Sequence, residues 1–276
     1  MMKFSFSTNA YRNYSIEDSI KSIATAGYSA IELMCDEPHA FPPLSPEKIG
    51  SIKKILKENQ MTISNLNGFM MCAIEDFHHP SWIEKDTIYR QKRIEHTKNC
   101  IVLAKELGAN SVSTEPGGPP TGLSRKEELD IFEQGLNEVL PIAEEHKIKI
   151  LIEPEPGLLI ENSTQFLDFI SRFSSDYIGL NFDVGHFYCV GEDPAELITT
   201  LKGYINHIHL EDIAASRVHQ HLVPGTGAID FSRIFNALYE INYDGYITIE
   251  LYPYLENPQK AAKNAMNFLN SIANVD

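Results

Sequence analysis

Positive charge is what this chain has least of. Its 276 residues hold 23 Lys and Arg against 38 Asp and Glu, a formal charge of −15 at neutral pH. Duplex nucleic acid is held by a basic footprint, so a nucleic-acid partner is not expected. Cysteine is scarce too: Cys35, Cys72, Cys100 and Cys189, none spaced as C-x-x-C. That pattern argues against a thiolate zinc site or a disulfide framework and fits reduced thiols in a cytoplasmic protein. No apolar run approaches a membrane span, and the start, Met-Met-Lys-Phe-Ser-Phe-Ser, lacks the apolar stretch of a signal peptide. A soluble, cytoplasmic chain with no membrane partner is expected. No G-x-G-x-x-G follows the first apolar run, which removes the main support for a doubly wound nucleotide-binding sheet.

What is present is a regular alternation. Short apolar runs at Lys3–Thr8, Ala30–Met34, Thr62–Gly68, Ser111–Pro116, Lys149–Pro154, Ile178–Asp183, Ile205–Glu211 and Tyr246–Leu251 read as eight strands. Amphipathic stretches separate them, as in Leu129, Phe132, Leu136, Val139 and Ala143. Each unit averages about 35 residues, enough for a strand, a helix and two loops. Ser124 with Glu127 and Asp193 with Glu196 read as capping boxes, and Ser45-Pro46 and Asn257-Pro258 as helix starts. Gly27 and Gly108 sit where a left-handed helix end is wanted. No linker or charge block divides the chain. The expected architecture is a single α/β domain over 1–276, a (β/α)8 TIM barrel. The connection 69–86 after the third strand is unusually long and reads as a possible lid, in which Phe69, Phe77, Trp82 and His78-His79 would cover the mouth.

In a parallel barrel the reactive groups lie at the C-terminal strand ends. Strand five ends in Glu153, strand six in Asp183 followed by Val-Gly-His186, strand seven in His207-Ile-His209-Leu-Glu211-Asp212, and strand eight in Glu250. Four consecutive strands thus deliver carboxylates and imidazole to one end. Singly, each is an ordinary strand-end residue; together, converging buried carboxylates require a neutralising cation. Two Glu, one Asp and one His suit Mn, Co, Mg or Zn, and do not suit copper or an iron–sulfur cluster.

These residues resemble the xylose isomerase-like barrels, which include sugar phosphate isomerases and epimerases and are related to endonuclease IV. The resemblance covers nearly the whole chain. It rests on Glu153-Pro, Asp183-Val-Gly-His186, His207-Ile-His209, Pro224-Gly-Thr-Gly227 with Asp230, and Ile-Glu250. It implies that Glu153, Asp183, His209 and Glu250 bind the catalytic metal, and that His186 and an Arg after strand seven, here Arg217, contact substrate. Arg217 reads equally as a solvated loop charge. Endonuclease IV has an Asp and a His at the offsets of His219 and His221, so these two with His186 form a possible second metal site. The plainer alternative is that His221 bonds substrate or backbone while His219 faces water. Strands three and four offer Asn65, Asn67 and Glu115 where endonuclease IV has histidines, which argues against a three-zinc cluster. Asn67, Glu115, His221 and Trp82 are further candidate substrate contacts. Gly117 and Gly118 allow a close backbone approach, to a ligand or in a tight turn.

The resemblance implies an isomerase or epimerase acting on a small keto-sugar, sugar acid or sugar phosphate. Glu153 and Glu250 would move a proton beside a carbonyl through a metal-stabilised enediolate. A dehydratase using the same enolate and an endonuclease IV-like zinc hydrolase are the alternatives. The expected partner is a small carbohydrate, with a homo-oligomer possible.

Overall fold

The computed structural model describes residues 2–70, 72–73, 76 and 78–272. Eight parallel strands close into a barrel in chain order: β1 (Lys3–Ser7), β2 (Ala30–Met34), β3 (Thr62–Asn67), β4 (Ser111–Thr114), β5 (Lys149–Ile152), β6 (Ile178–Asp183), β7 (Ile205–Leu210) and β8 (Tyr246–Ile249). β1 pairs with β8 from Lys3 opposite Tyr246 to Phe6 opposite Ile249, which leaves no free edge. Every expected strand is present. Six of them end one or two residues early, where the chain leaves the ladder for a loop.

The outer layer is α1 (Ile16–Ala26), α2 (Pro46–Glu58), α3 (Thr87–Leu107), α4 (Arg125–His146), α5 (Ser163–Ile170), α6 (Val184–Cys189), α7 (Pro194–Leu201), α8 (Phe231–Glu240) and α9 (Pro258–Ile272). Their starts follow the sequence. Ser45 caps α2, and Ser124 and Glu127 make a full capping box on α4. Asp193 caps α7 through the Ala195 and Glu196 amides, but Glu196 does not reciprocate and instead lies 3.9 Å from Arg233. Gly27 and Gly108 end α1 and α3 in the left-handed region. Among the described residues no helix is long and apolar enough to cross a membrane. All four cysteines are free, two of them buried.

Between helices and strands lies one apolar layer, in which Phe132, for example, stacks on Phe169. The inside of the barrel is different. Barrel interiors are usually filled with branched aliphatic side chains. Here Ser5, Ser64, Asn65, Ser111, Ser113, Asn181, His207 and Thr248 are all buried. Most of them satisfy one another, whereas Asn181 donates to Glu153 at 2.7 Å and its Oδ1 has no partner. Ser111 Oγ donates to Asn65 Oδ1 at 2.7 Å, and Asn65 Nδ2 donates to Glu32 at 2.8 Å. Thr248 Oγ1 lies 2.8 Å from His207 Nε2. The register shifts at Ile31/Glu32 in β2 and at Leu180/Asn181 in β6. Such irregularities re-aim side chains, and both precede residues that reach the site.

Candidate active site

β7 supplies His207 and His209, two residues apart and therefore on one face of the strand. His209 lies at the centre of the barrel mouth and is fully buried. Its Nδ1 is 2.9 Å from Glu153 Oε1, 3.6 Å from Glu250 Oε2 and 3.8 Å from Asp183 Oδ2. Its Nε2 is 2.7 Å from Glu32 Oε2. Glu153, Asp183, His209 and Glu250 can each offer one ligand atom within 4.8 Å of the others. The strand-end residues of β5 to β8 thus meet in one place.

The electrostatics follow from crowding. Burial pushes the Glu250 and Asp183 carboxyls up; the neighbouring Glu153 carboxylate lifts Glu250 further, while the His209 imidazole partly offsets the rise in both. Burial opposes protonation of His209, but Glu153, Glu32 and Glu250 outweigh it and hold its pKa well above the usual value. Burial would raise Glu32, yet His209 and His207 pull it well below the carboxylate range. Asp183 Oδ2 has no hydrogen-bond partner. Its other oxygen accepts the His186 amide at 2.7 Å and caps α6.

The Asp183-Val-Gly-His186 spacing has a local reason. A Cβ on Gly185 would lie 1.9 Å from Glu211 Oε1, so only glycine lets β7's last carboxyl come beside Asp183. Burial and the Asp183 charge raise Glu211 well above its ordinary value. The Pro224-Gly-Thr-Gly227 turn is built on Asp212, whose carboxylate accepts the amides of Gly225, Gly227, Ile229 and Ile213. That clamp, with the Asp212–Leu222 bridge, carries His219 and His221 to the mouth.

His186, His219 and His221 form a second cluster of possible ligands. His186 Nδ1 faces the Pro154 carbonyl at 2.9 Å and His221 Nδ1 faces the Glu250 carbonyl at 3.0 Å, leaving both Nε2 atoms toward the cavity. His219 Nε2 is 3.2 Å from His221 Nε2. Burial lowers His186 and His219 to about 4 and His221 well below its ordinary value, so all three are neutral.

The cavity over these groups is about 30 Å³, room for an ion or a water. Asn67 lines it and donates to Glu250 at 3.3 Å, and Phe69 and Tyr252 line it as well. Three sequence candidates lie elsewhere. Trp82 is fully buried; its indole donates to Thr114 Oγ1 at 2.8 Å and its ring lies over Phe132, so it pins the β3–α3 connection to the core instead of covering the mouth. Arg217 has φ +59; its guanidinium sits 4.2 Å from the Tyr188 ring centroid and faces a separate hollow with Asp193 and Arg233. Glu115 is buried 3.4 Å from Arg93 Nε, outside the cavity wall, and burial raises it to about 7. Gly117 and Gly118 seat Leu159 and Ser81, which a Cβ would strike at 2.7 and 2.3 Å, so their close approach is between loops. Phe77 lies outside the described residues.

Sequence reading missed Asn9, Glu32 and Glu155. Asn9 Nδ2 donates to Glu250 Oε1 at 2.8 Å. Glu32 did carry a signal: it is the one charge inside Ala-Ile-Glu-Leu-Met, a strand buried at every position.

A sequence profile of the xylose isomerase-like TIM barrel matches residues 20–272. The uncharacterized protein MJ1311 of Methanocaldococcus jannaschii is 30% identical over 257 residues, 90% of this chain and 83% of that one. Inosose dehydratase of Clostridium beijerinckii is 24% identical over 274 residues, 92% and 88% of the two chains. Among solved structures, a D-tagatose 3-epimerase-like protein superposes with a TM-score of 0.78 at 26% identity, covering 98% of this chain and 99% of that one. The zinc-bound IolI protein shares the fold with a TM-score of 0.81 at 20% identity, covering 99% and 98%.

Proposed function

The chain belongs to the xylose isomerase-like TIM-barrel family, and from that premise we propose that it is a metal-dependent isomerase or epimerase of a small keto-sugar or related sugar compound. One observation carries the reading: three buried carboxylates, Glu153, Asp183 and Glu250, offer oxygens within 4.8 Å of each other and of His209. Their charges repel, and Asp183 Oδ2 lacks any protein donor. A divalent cation fits that donor set, and Mn, Co, Mg and Zn all accept such ligands. When bound, the cation would polarise the substrate carbonyl.

The chain's own groups supply the rest. Glu32 accepts from His209 Nε2, so Nδ1, which faces Glu153, is the atom that would ligate, the usual carboxylate–histidine arrangement. Asn181 Nδ2 holds Glu153 Oε2 at 2.7 Å, and Asn9 and Asn67 hold Glu250. Glu153 and Glu250 both line the cavity, so one takes the carbon-bound proton beside the carbonyl and the other returns it. Return to the same carbon is epimerisation; return to the next is isomerisation. His186 and His221 present Nε2 to substrate oxygens.

The relation to inosose dehydratase supports a second reading, loss of a hydroxyl after the same proton removal. The His186, His219 and His221 cluster supports a second ion, and metal content measured with and without His219→Ala decides that. The test of the reaction is deuterium wash-in. Manganese-loaded protein in D2O should label a keto-sugar beside its carbonyl, and chelator or Glu250→Gln should stop it. No label in any keto-sugar or keto-inositol would overturn the proposal.

A further inference from the structure

Glu155 belongs to none of the four groups of possible ligands found among the described residues, yet it lines the same cavity. It is 5% exposed, and its Oε2 has no hydrogen-bond partner. Its backbone is held firmly: the amide donates to the Ile160 carbonyl at 3.0 Å, the carbonyl accepts from Leu158 at 3.2 Å, and prolines flank it at 154 and 156. A buried carboxyl oxygen without a donor is costly, and a rigid frame that keeps it so marks a place where something else supplies the donor. At a cavity wall that donor is a ligand's O–H or N–H.

The rest of the wall says what kind of ligand. Among the described residues no Lys or Arg lines the cavity. Arg12 donates to the Tyr252 carbonyl at 3.3 Å and faces another hollow; Arg93 is spent on Glu115 and Arg217 on Tyr188. Glu153, Glu155 and Glu250 line the wall with no Lys or Arg beside them among the described residues, so a phosphate or carboxylate would enter against acidic oxygens.

We propose that Glu155 is a substrate-binding residue that grips a hydroxyl, and that the substrate is an uncharged polyhydroxy ketone rather than a phosphate ester or a sugar acid. The inference rests on the sugar-processing reading of the same site. A buried hydrogen bond to the Glu155 carboxyl is worth roughly tenfold in affinity.

The experiment uses the manganese-loaded full chain with D-fructose, D-tagatose, 2-keto-myo-inositol and D-fructose 6-phosphate as probes. Binding is followed by calorimetry and exchange by deuterium wash-in. At least one neutral probe should bind at least tenfold more tightly than the phosphate ester. Glu155→Ala should weaken that probe about tenfold, raising KM more than it lowers kcat, with Glu155→Gln in between. Unchanged circular dichroism and manganese uptake would show that both variants fold. Tighter or equal binding of the phosphate ester, no binding of any neutral probe, or unchanged affinity in Glu155→Ala would overturn the inference. Glu155-dependent binding without deuterium exchange would uphold it and sink the proton-transfer reading instead.

Discussion

β5 and β8 lead into Glu153 and Glu250, β6 ends in Asp183 and β7 carries His209, whereas β2 carries Glu32, β3 ends in Asn67 and β1 leads into Asn9. The first set points into the space a cation would fill; the second points at the first set. Glu32 holds His209 from behind, and Asn9 and Asn67 hold Glu250. β5 to β8 present the reactive groups, while residues of β1 to β3, joined by Asn181 of β6, fix their angle and tautomer. Buried charges need such support, since each would otherwise be desolvated without compensation.

Substitutions on the two sides should separate the roles. Glu250→Gln removes both a ligand and a proton-transfer group, so kcat should fall by about 10² to 10⁴ or more, measured by deuterium exchange. Glu32→Gln leaves all four ligands in place but releases His209. Manganese affinity should drop about 10- to 100-fold, read by calorimetry on stripped protein. An unchanged affinity would erase the distinction between the two sets.

How legible each set is in the sequence follows from the same division. A carboxylate or imidazole closing an apolar run on four successive strands is a conspicuous pattern, and Glu153, Asp183, His209 and Glu250 do converge. The eight strands were readable because each is a short buried run between capped helices. Asn9 and Asn67 were harder, because a lone amide at a strand end is ordinary in any loop; their meaning lies in the partner Glu250, more than 180 residues away. Trp82 and Arg217 mislead for the opposite reason. Aromatic and guanidinium groups near a barrel mouth suggest ligand contact, but the path of the loop backbone decides where they point. Trp82 turns to Thr114 and Phe132, and Arg217, at φ +59, turns to Tyr188.

A smaller test concerns a buried acid outside the cavity. Burial raises Glu115 to about 7 despite Arg93. The folded chain therefore keeps a proton that the unfolded chain loses near pH 4.5. Stability of the metal-free protein should fall as pH rises from about 4.5 to 7, at up to about 1.4 kcal/mol per pH unit from this group, and level off above. Denaturant midpoints should show that slope, and Glu115→Gln should remove this contribution. The smallest effect belongs to Arg217→Ala. Because its guanidinium lies on Tyr188 and away from the cavity, kcat/KM should stay within about twofold; a large loss would place Arg217 on the substrate after all.

The most direct measurement is manganese titration of chelator-stripped protein, following bound ion per chain by electron paramagnetic resonance in wild type, Asp183→Asn and Glu153→Gln. The account predicts tight uptake in the wild type and its loss in both variants. No tight uptake, or uptake indifferent to Asp183 and Glu153, would contradict it.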